Sequence, residues 1–227
     1  MYELLIDSLN KNKSDIAICN LFYETQDMRY INEFNHEDFV FDREKYPEYS
    51  YFIKSISGYA CNRLYSKHLI YCKKGYHIQF DANIVIAEDD LFNYEIFNQN
   101  KKIKYSYINN KLYHYVLNTN SATNQMINMK KLTYFNSKEK EIRILQTNNL
   151  NNDFLKADYI INQVRTKIIM KKLKIKSELK FEYITKKANE YKKEINYKDL
   201  NLKLKLKLIV ATKLPLLYRL KLKNKFN

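Results

Sequence analysis

Three consecutive carboxylates, Glu88, Asp89 and Asp90, stand between the apolar run IVIA (84–87) and an aromatic-rich stretch in FDANIVIAEDDLFNYEIF (80–97). Charge set among apolar neighbours is costly unless something stabilises it. The spacing supplies one stabiliser, because Leu91, Phe92, Ile96 and Phe97 recur near i, i+1, i+5 and i+6 and predict a helix whose first turn carries the acids. In that turn free backbone N–H groups and the helix dipole favour the charged carboxylate, by ~0.3–1 kcal/mol when exposed. One account is therefore an acidic helix cap. The other rests on the strand-like IVIA, which puts Glu88 and Asp89 at the rim of a sheet. Strand-to-helix corners of α/β folds border ligand crevices.

The rest of the composition removes several chemistries. An average chain has about 7% glycine, whereas this one has only Gly58 and Gly75, so no glycine-rich phosphate loop can form. Cys19, Cys61 and Cys72 are odd in number and lack C-x-x-C spacing, which suggests neither a disulfide framework nor a zinc knuckle and fits a reducing cytoplasm. The N-terminal residues show no basic stretch followed by an apolar one, and no apolar run approaches the ~20 residues of a membrane span. Charge is uneven: residues 1–100 carry 10 Lys/Arg against 16 Asp/Glu, net −6, while 101–227 carry 30 against 9, net +21. The two parts are built for different surroundings.

Elements that could position these groups follow from periodicity. YELLIDSLNKN (2–12) sets Leu4, Leu5 and Leu9 on one helical face, and DIAICNLFY (15–23) has the pattern of a buried strand. Residues 24–47 are expected as loop with a short strand at MRYINEF (28–34). PEYSYFIKSIS (47–57) predicts a helix, with Pro47 at its start and Gly58 as its stop. A short strand, a helical turn ended by Gly75 and a second extended piece are expected within 60–80. KKIKYSYINNKLYHYVLN (101–118) reads as a tyrosine-rich hairpin with INN at the turn. From 126 onward helix dominates: Phe154, Ala157, Ile161, Val164 and Ile168 repeat at steps of three and four, with basic residues opposite. The Leu-Lys alternation that opens the tail (198–227) leaves its period open between strand and helix.

Three motifs in order resemble the second half of the family 2 glycosyltransferases with the nucleotide-diphospho-sugar-binding GT-A fold. Bacterial members carry a segment like NKLY…F…IVIGEDLLFN…YINKPLYHYR; this chain has NRLY (62–65), Phe80, IVIAEDDLFN (84–93) and YINNKLYHYVLNTNSAT (107–123). The resemblance runs over about residues 2–125. It implies an α/β fold, the acceptor-side half of a GT-A domain over 1–125, followed by a helical region (126–197) and a basic amphipathic tail (198–227). It implies inverting transfer of a sugar from a nucleotide-sugar donor to a glycan or lipid-linked acceptor in cell-surface polysaccharide synthesis. Asp89 is then the general base that takes the acceptor hydroxyl's proton, Glu88 binds a sugar hydroxyl or orients the site, and Asp90 faces solvent. Asn62 and Arg63 occupy the family's Asn-Lys position and would meet substrate oxygens. Tyr113 and His114 would lie near the donor diphosphate, His114 also as a ligand of a divalent metal, Mn or Mg; an isolated imidazole here is equally explained as packed or surface-exposed.

Departures from the pattern shape the expectation. Val116 and Asn118 stand where many relatives place arginines, and the sequence contains no D-x-D, the family's main metal-ligand motif. The chain is therefore expected to be a truncated or split enzyme, its donor-binding half either preceding Met1 in a longer chain or lying on a separate polypeptide. A non-catalytic remnant that binds sugar or membrane is the alternative. Residues 198–227 hold 9 Lys/Arg and one Asp. Interleaved with leucine, they suit either an interfacial segment on the anionic inner face of the plasma membrane or a helix packed on the domain with a solvated basic face. A nucleic-acid-binding protein, with tyrosines stacking bases, is the weakest reading, because no recognised RNA or DNA motif is present.

Overall fold

The computed structural model describes residues 1–25, 36–71, 77–117, 129–175, 179–214 and 217–219. The chain divides into two compact units, Met1–Met126 and Ile127–Asn227.

The first unit is α/β. Helix α1 (Tyr2–Asn12) leads into strand β1 (Ile16–Thr25), followed by β2 (Phe39–Asp42), α2 (Tyr46–Phe52), β3 (Arg63–Tyr65), α3 (Lys67–Ile70), α4 (Glu88–Gln99) and β4 (Lys104–Leu117). The strands form one mixed sheet in the order β2-β4-β1-β3. β1 and β4 pair in parallel at its centre, and β2 and β3 flank them antiparallel. A parallel pair requires a crossover, and the chain between β1 and β4 provides it, with α4 as its longest helix.

β1 is buried on both faces over Ile16–Leu21, which explains an apolar run broken only by the buried Asn20. Ala17 and Cys19 join Leu5 and Ile108 in one cluster, against which Leu9 and Leu64 pack. On the opposite face an aromatic stack forms: Tyr105 lies between Phe41 (4.8 Å) and Tyr46 (5.0 Å), and Tyr46 and Phe97 are both fully buried. Leu4, expected beside Leu5 and Leu9, is 42% exposed. The inward face of α1 is instead Leu5 and Ser8, whose hydroxyl donates to Ser106 Oγ at 2.9 Å.

The expected hairpin at 101–118 is corrected to a single 14-residue strand. The INN segment does not turn. It lies where the β1–β4 register shifts on either side of Asn20, so β4 carries extra residues there. Asn20 Nδ2 donates to Asn109 Oδ1 at 2.9 Å, and the Asn109 N–H donates to Asp38 Oδ1 at 2.7 Å. The asparagines occupy an irregularity inside a strand. The predicted 47–57 helix is shorter, ending at Phe52, and Gly58 does not stop it. The strand expected at 28–34 and Gly75 lie outside the described residues, and the helical turn expected before Gly75 is α3, which ends at Ile70.

The second unit is helical, with α5 (Thr133–Thr147), α6 (Asp153–Lys172), α7 (Leu179–Glu194) and α8 (Leu202–Lys213). α6 buries Phe154, Ala157 and Ile161 as its period predicts. Tyr159 packs edge-on against Phe135 and Tyr191 at 4.9 and 5.1 Å, tying α5, α6 and α7 together. The tail set apart at 198 begins with α8, which packs on α6 and belongs to this unit.

Candidate functional site

The acids open helix α4, and the backbone there is strained. Ala87, the residue before the helix, has φ 66° and ψ 28°, the left-handed region where a Cβ costs about 1–2 kcal/mol. Its carbonyl accepts from the Leu91 N–H at 3.1 Å, so the conformation begins the helix and aims its first turn. It stands at the glycine of the IVIGED pattern. Ala87→Gly is expected to stabilise the chain by about 1 kcal/mol, after the entropy glycine adds to the unfolded state is discounted. A rise in the urea midpoint checks it, and a fall would deny the strain.

Glu88 and Asp89 are half-buried, and among the described residues neither takes part in an ion pair. Asp89 Oδ2 accepts from the Ala60 N–H at 3.3 Å. Burial raises the Glu88 carboxyl above its ordinary 4.5, with repulsion from Asp89 adding to the shift and its own backbone N–H opposing it. A carboxyl raised on folding holds its proton more tightly in the folded chain than in the unfolded one. Stability is therefore fullest at low pH and falls as pH rises from 4.5 through the higher folded value. Glu88→Gln should flatten this segment of the stability curve and leave the variant more stable than the parent at neutral pH. Thermal unfolding across a pH series reads it out.

The loop 55–60 is held against α4 by two buried side chains. Arg63 donates to the carbonyls of Ile56 (3.0 Å) and Ser57 (2.8 Å) and to Asn93 Oδ1 (3.1 Å). Asn93 in turn donates to the carbonyls of Gly58 (3.0 Å) and Asp89 (2.7 Å), and its Oδ1 also accepts from the Tyr65 hydroxyl at 2.8 Å. Asn62 donates to the carbonyls of Cys19 (2.6 Å) and Ser55 (2.8 Å). The loop comes so close to the helix that a Cβ at Gly58 would collide with the side chain of Asp90, which accounts for a glycine there. Asn62 and Arg63, expected to meet substrate oxygens, are only 0% and 4% exposed and spend these donors on the protein. Arg63 braces the Asp89 carbonyl through Asn93, while Asn62 ties the loop to β1. Asn93 was missed as a site residue. Its signal was an amide within the apolar face of a helix, between Phe92 and Tyr94.

Tyrosines line the approach to the acids. Tyr23 and Tyr115 are paired across β1 and β4, with ring centroids 5.5 Å apart, and Tyr59 lies 5.2 Å from Tyr115 and accepts a hydrogen bond from the Tyr23 hydroxyl at 3.3 Å. The Tyr115 phenol is raised by burial first, then by Tyr59, Cys61, Asp89 and Glu88. The Tyr113 phenol is raised chiefly by its neighbour Cys61. Burial pushes the Cys19 thiol up to about 11 and raises Cys61 as well, so neither provides a thiolate nucleophile at neutral pH.

His114 is a correction. Successive strand residues alternate between faces, so His114 points away from Tyr113 and Tyr115. It stacks on Phe22 at 4.8 Å, and its Nδ1 lies 3.0 Å from Glu24 Oε1. The imidazole is not brought together with Asp89. Glu24 and His114 make a two-member set, and among the described residues no group of three or more His, Cys, Asp or Glu could hold a metal ion. These residues do not complete a divalent-metal site.

No protein-family model matches the chain, and no curated protein matches it either. The functional reading therefore rests on the motifs and the geometry. The candidate site comprises the half-exposed Glu88 and Asp89, the tyrosines 59, 113 and 115, and the Arg63–Asn93 brace. A cleft of about 600 Å³ lined by Leu4, Asp7, Lys11, Asp38, Val40 and Asn110 lies elsewhere on this unit and contains none of these groups. Among the described residues, no helix is long and apolar enough to cross a membrane.

Proposed function

We propose that the first unit is the acceptor side of an inverting glycosyltransferase of the family 2, GT-A type, acting on a glycan or lipid-linked acceptor in cell-surface polysaccharide assembly. The observation that carries this reading is the placement of Asp89. Its carboxylate sits at the head of α4, half-exposed, outside any ion pair of the described residues, and anchored through Oδ2 to the Ala60 N–H. That is the disposition a general base needs: one oxygen fixed by the protein, the other free to face a hydroxyl.

In this mechanism Asp89 takes the proton of the acceptor hydroxyl as its oxygen attacks the anomeric carbon from the side opposite the leaving group. The bond to the nucleoside diphosphate breaks, its electron pair leaves with the phosphate, and the anomeric configuration inverts. Glu88 accepts a hydrogen bond from a neighbouring sugar hydroxyl. Tyr59, Tyr113 and Tyr115 offer ring faces to the C–H side of the acceptor sugar, the combination of apolar wall and few polar groups expected of a small-molecule site. The reading assigns donor and metal binding to a D-x-D segment outside these 227 residues.

The test is a transfer assay with labelled nucleotide sugars and glycan or lipid-linked acceptors, the D-x-D segment being supplied in cis or as a separate polypeptide. Transfer that requires this chain and yields the inverted anomer supports the proposal. Transfer that is unchanged when this chain is omitted rejects it. Acceptor binding without any transfer favours the sugar-binding remnant.

A further inference from the structure

Helix α8 presents two apolar faces, and the protein buries only one. Its period is set at the N-terminus, where Asn201 Oδ1 accepts from the Leu204 N–H at 2.8 Å. Leu204, Leu208 and Ala211 are 4%, 0% and 1% exposed and form the inward face. At 3.6 residues per turn, Leu202, Leu206 and Ile209 fall within an arc of about 60° on the opposite side. There Leu202 is 71% and Leu206 53% exposed, and beyond the helix Leu214 and Leu217 are 45% and 55% exposed. The helix sequence LKLKLKLIVATK flanks the outward leucines with four lysines and holds no acidic residue.

We infer that this outward face docks on an anionic lipid surface, with the leucines entering the boundary between headgroups and acyl chains and Lys203, Lys205, Lys207 and Lys213 meeting lipid phosphates. Charge complementarity selects this occupant. A second copy laid face to face would set lysines against lysines. A nucleic acid would satisfy the lysines but would leave the outward leucines against a charged backbone. A lipid interface takes both groups at once. The docking is peripheral and independent of the proposed glycosyl transfer, since it draws on no residue of the first unit.

The experiment is co-sedimentation of the full chain with vesicles of phosphatidylcholine mixed with phosphatidylglycerol, against vesicles of phosphatidylcholine alone. The chain should bind the anionic vesicles, with affinity falling as salt is raised. Replacing Leu202 and Leu206 together by Ser should weaken binding by about tenfold or more. Replacing Lys203, Lys205 and Lys207 by Gln should weaken it about 100-fold. All five positions lie outside the inward face, and unchanged circular dichroism verifies that the variants fold. Equal binding to neutral and anionic vesicles, or variants that bind like the parent, would overturn the inference. So would self-association lost in the leucine variant, or capture of single-stranded RNA, in the absence of vesicle binding.

Discussion

Replacing Asp89 by Asn should slow glycosyl transfer about 10²–10⁴-fold, the range a positioned general base supplies, with little change in the apparent affinity for acceptor. The amide keeps the shape of the carboxylate, and its oxygen still accepts from the Ala60 N–H. What it loses is a lone pair basic enough to remove the acceptor's proton. An interaction realised only in the transition state lowers kcat and leaves KM largely alone, so steady-state kinetics with varied acceptor separate this outcome from a binding defect. Loss appearing entirely in KM would make Asp89 a binding residue.

Arg63→Met should destabilise the first unit by about 3–5 kcal/mol, because removing one partner of a buried charged network strands the others. The substitution keeps an apolar chain of similar reach but takes the donors away from the Ile56 and Ser57 carbonyls and from Asn93 Oδ1. Arg63→Lys should recover only part of the loss, since one ammonium cannot reproduce a planar fork serving three acceptors. Hydrogen exchange of the β1 and β4 amides measures the effect. Their protection should fall roughly 10²-fold to 4 × 10³-fold in the Met variant, at about 1.4 kcal/mol per tenfold. Protection unchanged in both variants would show that the brace does not hold the unit together.

The local parts of the site could be read from the sequence. Leu91, Phe92, Ile96 and Phe97 repeat at helical spacing and are all buried, so α4 and its acidic first turn follow from periodicity. The strand β1 likewise follows from an apolar run interrupted only by Asn20. What could not be read depends on partners distant in the chain. The asparagines of INN carry a turn signal, and only pairing with β1, about ninety residues earlier, turns them into an irregularity within a strand. The cation of Arg63 looks ligand-directed until the carbonyls of residues 56 and 57 are seen folded over it. His114 failed for a simpler reason: strand alternation, legible once 104–117 is one strand, separates it from its neighbours Tyr113 and Tyr115. In the tail, the Leu-Lys alternation suggested either period, and the Asn201 cap with burial of Leu204 and Leu208 selects the helix.

The proposed acceptor site can be tested on the chain as it stands by carbodiimide labelling of its carboxylates, read residue by residue by mass spectrometry with and without saturating glycan acceptor. Labelling of Asp89 and Glu88 in the free chain, lost when acceptor is bound while the carboxylates of the second unit are unaffected, is the predicted result. Labelling of Asp89 that persists at full acceptor occupancy would contradict the account.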